Sequence, residues 1–113
     1  MSQRYDPDHK ATLDAMLLDV PGVTAGQMFG HPTYKIAGKV FATLMETGVT
    51  VKLPEDTAAE LLAHDYAVPF APMGNPMRQW VLIQVTNAGD YARHQPYLEA
   101  ALSYVLAEAT KSR

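Results

Sequence analysis

The segment at residues 28–53 constrains the fold most, because it alternates short apolar runs with turn residues. It reads MFGHPTYKIAGKVFATLMETGVTVKL, with a glycine at residue 30, at residue 38 and at residue 48 between the runs. Glycine at such places favours tight turns. In the last run, three apolar residues alternate with Thr50 and Lys52, which is the period of a half-buried strand. Strands joined by turns this short pair antiparallel, so the segment predicts a β-meander.

Helices are predicted on both sides of the meander. Pro7 follows Asp6 in the pattern of a helix start, and Pro21-Gly22 ends that first helix. A short second helix opens at Pro54. A long third helix carries an apolar stripe, and Pro96 within this stripe predicts a kink or a restart.

The order of the elements predicts the fold class. The predicted strands are Val23–Gly30, Thr33–Ala37, Lys39–Met45, Val49–Leu53 and Met77–Val85. Because the strands come in a run rather than in alternation with helices, we expect an α+β fold. It has two layers, with an antiparallel sheet of about five strands and helices packed on one face.

Composition is that of an ordinary globular domain. The chain has 113 residues, 48% of them hydrophobic, and we expect a single domain over residues 1–113. The absence of cysteine excludes disulfides, thiolate metal sites and cysteine nucleophiles, and it fits a reducing cytoplasm. We expect neither a signal peptide nor a membrane span. A formal charge of −3 is unlike that of general nucleic-acid binders, which are basic.

Two predicted strands lack a polar face. Alternation assigns their apolar residues to opposite faces, namely Val81, Ile83 and Val85 against Trp80 and Leu82, and Val40, Ala42 and Leu44 against Phe41 and Met45. A sheet that helices cover on one face is ordinarily polar on the other. Either the C-terminal helix or a proline-rich segment covers this second face, or the face stays open. An open apolar face would serve homodimer packing or an apolar ligand.

Short motifs along the chain resemble a known family. The likeness is to the TfoX N-terminal domain family and to YjbR-like proteins, and it lies in Phe29-Gly30, Tyr34, Ala37–Ala42, Val51-Lys52-Leu53 and Trp80-Val81. The resemblance implies a two-layer fold with the order α-β-β-β-α-β-β-α. It also implies a regulatory or DNA-associated role, since TfoX regulates competence and YjbR-like proteins are often described as DNA-binding. No catalytic motif is associated with either group.

Basic residues make the first candidate site. Lys35, Lys39 and Lys52 lie on or beside neighbouring predicted strands, and Arg78 precedes the strand of Trp80. If these side chains converge beside Trp80, they form a cationic patch able to bind a phosphate, a carboxylate or a nucleic-acid backbone. The alternative is that they are ordinary outward-pointing residues of half-exposed strands.

His31 is the second candidate, because it lies in a strand-connecting segment before Pro32. No second ligand or base stands at a spacing that completes a metal or catalytic site. We therefore expect no catalytic residue, no metal ligand and no cofactor. Met73 and Met77, in a proline-rich loop, either fill the core margin or form an adaptable contact surface or a copper(I) site.

Function is the property that the sequence constrains least. We expect a small cytoplasmic, non-enzymatic domain that binds a protein partner or a second copy of itself through the open sheet face. The alternative is a nucleic-acid-associated regulator that uses the patch of Lys35, Lys39, Lys52 and Arg78. An enzyme with an unrecognised site comes third, and no membrane partner is expected.

Overall fold

A six-stranded antiparallel sheet forms the body of the structure, and the helices pack against one of its faces. The structure is a computed structural model that describes residues 5–72, 74–77 and 79–111. In chain order the elements are α1 (Pro7–Leu17), β1 (Val23–Met28), β2 (His31–Ile36), β3 (Lys39–Leu44), β4 (Gly48–Lys52), α2 (Glu55–Leu62), β5 (Ala67–Pro69), β6 (Trp80–Gln84), a 3₁₀ helix (Ala88–His94) and α3 (Gln95–Lys111). The strand order across the sheet is β1-β2-β3-β4-β6-β5, and every neighbouring pair is antiparallel.

Two-residue turns fold the first three strands into the predicted meander. Ala37 and Gly38 connect β2 to β3 with φ angles of 53° and 80°. Positive φ at both central residues is what a type I′ turn requires, and such a turn matches the right-handed twist of the strands. The turn between β1 and β2, at Phe29 and Gly30, also has positive φ at both residues.

The predicted α+β class, with an antiparallel sheet and helices on one face, is confirmed. The sheet has six strands rather than about five, because Ala67–Pro69 pairs with β6 at the edge of the sheet, where a proline is tolerated. Four strands rather than three precede α2, so the order differs by one strand from the order that the resemblance implied. Pro96 does mark a restart, because α3 begins at Gln95, directly after the 3₁₀ helix. In this first turn the missing N–H of proline costs nothing.

A β-bulge moves Phe41 to the face opposite the one that alternation predicts. Tyr34 pairs with Ala42, whereas the next residue of β2, Lys35, pairs with Val40, so Phe41 is an extra residue on β3. Phe41 is fully buried in the core, and Val40 lies on the open face. The prediction for Val40 and Phe41 was therefore wrong, because strict alternation fails at a bulge.

The helix-covered face of the sheet forms the core. The buried residues of α1 and α3 in this core include Leu13, Leu17, Leu98 and Val105. Val81 and Ile83 of β6 face the same core, as alternation predicts, and Trp80 and Leu82 lie half-buried on the opposite face. The second face of the sheet therefore presents large apolar side chains that do not belong to the core.

A buried tyrosine ties α1 to the sheet. The Tyr34 hydroxyl donates to one carboxylate oxygen of Asp14 at 2.7 Å, and the Lys10 ammonium donates to the other at 2.8 Å. Burial, together with the hydrogen bond to Asp14, raises the pKa of Tyr34 far above its ordinary value. The hydroxyl therefore stays protonated and remains a donor.

Tyr34→Phe is expected to lower the free energy of unfolding by about 1–2 kcal/mol, because one charge-assisted hydrogen bond is lost while the ring still fills the core. Chemical denaturation of Tyr34→Phe, Asp14→Ala and the double variant measures this effect. The two losses should add to more than the loss in the double variant, since both substitutions break the same bond. Strictly additive losses would contradict a stabilising contact between the two side chains.

His94 is a buried titratable residue at the end of the 3₁₀ helix. Its ring centroid lies 4.7 Å from that of Tyr66, and Tyr66 stacks on His64 at 4.9 Å. Burial and, next, the charge of Arg93 lower the pKa of His94, while Asp90 acts in the opposite direction. Folding therefore favours the neutral imidazole.

The free energy of unfolding is expected to fall as the pH drops below about 6.5, the ordinary pKa of histidine. The unfolded chain then binds a proton at His94, whereas the folded protein binds it only at a lower pH. His94→Phe should make this decline shallower, because it keeps a ring in the site and removes the titration. Urea unfolding of both proteins at about pH 5.5 and about pH 7.5 checks the prediction, and equal declines would refute it.

Candidate functional site

The open face of the sheet carries a groove of about 520 Å³. This volume falls within the range of sites that hold small molecules or side chains of a partner. Its floor is formed by His31, Val40, Thr43, Met45 and Thr50. Its ends are formed by Met28 and Phe29 on one side and by Phe70, Pro72, Met77 and Trp80 on the other. All but three of these residues are apolar, which makes the groove suited to an apolar occupant.

The groove runs diagonally across the sheet, from β2 over β3 and β4 to β6. His31 begins β2 at one end, where the β1–β2 turn also lies, and Trp80 begins β6 at the other end, where the β5–β6 loop lies. β3 has six residues, so at about 3.3 Å per residue the sheet beneath the groove is about 20 Å long. An extended segment of about six residues would match this length.

Phe29 stands at the first end of the groove in an unusual backbone conformation. Its φ angle is 54°, that of Gly30 is 82°, and its side chain is 84% exposed. For an L-residue with a bulky side chain the left-handed region costs about 1–2 kcal/mol, so asparagine or glycine is the ordinary choice at this turn position. The fold buries little of this side chain although its backbone is strained, which makes Phe29 a candidate contact residue.

The loop at the other end of the groove is held by backbone and side-chain hydrogen bonds. The Phe70 amide donates to the Trp80 carbonyl at 3.2 Å, and the Met77 amide donates to the Phe70 carbonyl at 2.7 Å. Gln79, with a φ of 71°, donates through its side-chain amide to the Leu53 carbonyl at 3.1 Å and to the Tyr104 hydroxyl at 2.7 Å. Gln79 thereby anchors the end of the loop to β4 and α3, directly before Trp80.

Met77 lines the groove and is 44% exposed. This position matches the contact surface that the sequence offered as one alternative for Met73 and Met77, rather than a place in the core margin. Met73 lies outside the described residues.

His31 lies half-buried in the floor of the groove. Its Nδ1 atom is 3.2 Å from the carbonyl oxygen of Leu44, so Nδ1 carries the proton and donates it. The Nε2 atom of the neutral ring is then an acceptor. Among the described lining residues His31 is the only ionisable one.

None of the three predicted basic residues that the structure describes lines the groove. Lys52 pairs with Trp80 and Lys35 with Val40, so each is a cross-strand neighbour of a lining residue. Lys39 is exposed at the start of β3 and pairs with Ile36. Arg78 lies outside the described residues. Of the six predicted site residues, the groove lining itself includes His31 and Trp80.

A comparison with models of protein families matches residues 18–102 to the family described as YjbR. The match covers all six strands and reaches into α3. The chain belongs to the YjbR family. The predicted resemblance to YjbR-like proteins is thereby confirmed, and the TfoX N-terminal domain family is a related one. Searches of curated proteins and of solved structures each find no match to this YjbR chain.

Two features are absent from the described part of this YjbR chain. Residues 5–72, 74–77 and 79–111 contain no helix long and apolar enough to cross a bilayer. The same residues contain no group of three or more His, Asp or Glu side chains placed to hold a metal ion.

Sequence reasoning missed Phe29 as a site residue of the YjbR domain, although a signal was present. A two-residue turn between strands favours a first residue that adopts positive φ easily, and phenylalanine adopts it only at an energetic cost. In the dipeptide Phe29-Gly30, the positive φ that the turn needs therefore conflicts with the bulky side chain of Phe29. Phe70 gives no such signal, because its approach to the groove depends on the path of the whole β5–β6 loop.

Proposed function

We propose that this YjbR domain is a non-enzymatic binding module that holds an apolar segment of a protein partner in the open-face groove. The observation that carries the proposal is Phe29, which is exposed at a strained turn beside a mainly apolar groove. The strain and the exposure both disfavour the isolated domain, whereas contact with a partner removes the exposure. A cytoplasmic location is part of the same proposal.

The chemistry of the lining supports a binding role rather than catalysis. His31 is the only ionisable side chain among the described lining residues, and its Nδ1 is engaged with the Leu44 carbonyl. General acid–base and nucleophilic mechanisms pair a reactive group with a second group that activates it. The described residues of the groove offer His31 no such partner.

The test uses anilinonaphthalene sulfonate as an apolar probe and Trp80, the single tryptophan, as the donor of fluorescence energy. We expect saturable binding with energy transfer from Trp80. Met77→Glu should weaken the Kd about tenfold, because it places a charge in an apolar groove. Absence of saturable binding to the unmodified chain would contradict the proposal.

Leu106→Glu is the matched control for Met77→Glu. Leu106 is 39% exposed on α3 and Met77 is 44% exposed at the groove, so both substitutions place a carboxylate at a partly exposed apolar position. Leu106→Glu should leave the Kd of the dye unchanged. Equal weakening in both variants would mean that the dye binds no particular site, which would also contradict the proposal.

A nucleic-acid-associated regulator is the second candidate function. The observation that favours it is the pairing of Lys52 with Trp80, since single-strand binders combine cations with aromatic stacking. Binding of an oligonucleotide that weakens steeply with salt, and that Lys35→Glu with Lys52→Glu abolishes, would favour this candidate. Unchanged binding after both charge reversals would refute it.

A further inference from the structure

Charge is distributed unevenly between the sheet and the rest of the chain. The chain has a formal charge of −3, yet none of its 12 Asp and Glu residues lies in a strand. The strands instead carry Lys35, Lys39 and Lys52. The sheet is therefore the basic part of an acidic protein.

Within the part of the chain that the structure describes, Lys52 lies at one end of the groove and a carboxylate lies beyond the other end. Lys52 is half-buried and lies directly opposite Trp80, and such pairs on one face have Cβ atoms about 5 Å apart. At the other end, beyond Met45, the turn between β3 and β4 contains the exposed Glu46. An occupant with one anionic end would be oriented by this difference.

Lys35 adds a second cation along the β1 side of the groove. It lies opposite Val40 of the floor, and its ammonium extends over Gly26 of β1. The Nζ atom lies 3.9 Å from the position that a Cβ atom on Gly26 would occupy. A side chain at residue 26 would therefore compete with Lys35 for this position above the sheet.

We infer that the occupant of the groove is an acidic protein segment, which inserts apolar side chains between Phe29 and Trp80 and places a carboxylate against Lys52. This inference rests on the proposed function and adds the chemical class of the partner. A carboxylate beside the half-buried Lys52 makes a charge-assisted hydrogen bond in a partly desolvated position. The apolar floor supplies affinity, and the cations supply orientation and selectivity.

The lining favours a protein segment over a single-stranded nucleic acid. Met28, Met45 and Met77 give the groove flexible thioether side chains, which adapt to aliphatic and aromatic side chains of a partner. A nucleic-acid strand needs a row of cations along its phosphates, and no described lining residue is a lysine or an arginine. The rings of Phe29, Phe70 and Trp80 could stack on bases, but stacking alone does not hold the phosphates. The net charge of −3 also repels a polyphosphate more strongly than a segment with one or two carboxylates.

The test follows Trp80 fluorescence while end-blocked synthetic peptides are added to the full chain. Each peptide has the sequence Leu-Ser-Leu-Ser-Leu followed by two glutamates, two glutamines or two lysines. We expect the glutamate peptide to bind about tenfold more tightly than the glutamine peptide at low salt, and the lysine peptide to bind most weakly. The preference should shrink at about 0.5 M NaCl, because Lys52 is only partly buried.

The Lys52→Gln variant tests whether Lys52 causes the preference for the glutamate peptide. It should lose most of the preference for the glutamate peptide, with only the contribution of Lys35 remaining, and keep the original affinity for the glutamine peptide. Lys111→Gln removes the same charge from an exposed position at the end of α3 and should keep the tenfold preference. Loss of the preference in both variants would assign it to net charge rather than to the groove and would overturn the inference.

The remaining outcomes separate this inference from the proposed function. Equal binding of all three peptides would overturn the acidic partner and leave an apolar binding module. Failure of every peptide, together with failure of the dye, would overturn the proposed function itself. An oligothymidylate that displaces the glutamate peptide and binds more tightly would overturn the inference in favour of nucleic acid. A Trp80 fluorescence signal that changes when the protein alone is diluted would also overturn the inference, in favour of a second copy of this chain as the occupant of the groove.

Discussion

Gly48→Ala is expected to lower the free energy of unfolding by at least about 3 kcal/mol, which is a large part of the stability of a small domain. Gly48 is buried at the start of β4, and a Cβ atom there would overlap the carbonyl oxygen of Ile83. The clash is with backbone, so no rotamer change relieves it. The Ile83 backbone is fixed because Val49 pairs with it across β4 and β6.

Gly89→Ala is the matched control for this substitution. A Cβ atom on Gly89 meets nothing within 4 Å, and the backbone of Gly89 is not in the positive-φ region. Gly89→Ala should change the free energy of unfolding by no more than about 0.5 kcal/mol. Urea unfolding followed by circular dichroism measures both variants, and equal stabilities would refute the steric argument for Gly48.

The architecture was predictable because local chemistry and tertiary structure agree along most of the chain. Alternation in residues 49–53, the glycine turns and the proline helix starts each have a local physical cause, and β4, the turn at Gly38 and α2 follow from them. Only part of the role of Gly48 could be predicted from the sequence. Its place in a turn could be inferred from the sequence, but its contact with Ile83 depends on a strand that comes about 30 residues later.

The bulge and the groove were less predictable because they depend on pairing between strands. One extra residue on β3 exchanges the faces of Val40 and Phe41, and no composition signal marks the residue that is skipped. The pattern of Trp80 and Leu82 predicted a second apolar face but left open whether a helix or a proline-rich segment covers it. The β1–β2 turn and the β5–β6 loop close this face into a groove. To predict that closure, one needs the sheet order, in which β6 lies beside β4.

Phe29→Asn is expected to stabilise the fold and to weaken binding in the groove. Asparagine before Gly30 is a preferred residue pair for this turn, so relief of the left-handed strain should raise the free energy of unfolding by about 1 kcal/mol. Loss of the exposed ring should weaken the Kd of the glutamate peptide about tenfold, as for an aromatic anchor at an interface. Urea unfolding and Trp80 fluorescence titration measure the two effects on the same samples.

Ala37→Asn separates the two effects, because it makes the same turn change away from the groove. Ala37 has a φ of 53° and precedes Gly38, just as Phe29 has a φ of 54° and precedes Gly30. Ala37 does not line the groove, so Ala37→Asn should also stabilise the fold but leave the Kd of the peptide unchanged. Weaker binding in both variants would mean that turn rigidity, rather than the ring of Phe29, controls the groove. If neither variant binds more weakly, Phe29 is not a contact residue, and its strained conformation serves no interaction in this groove.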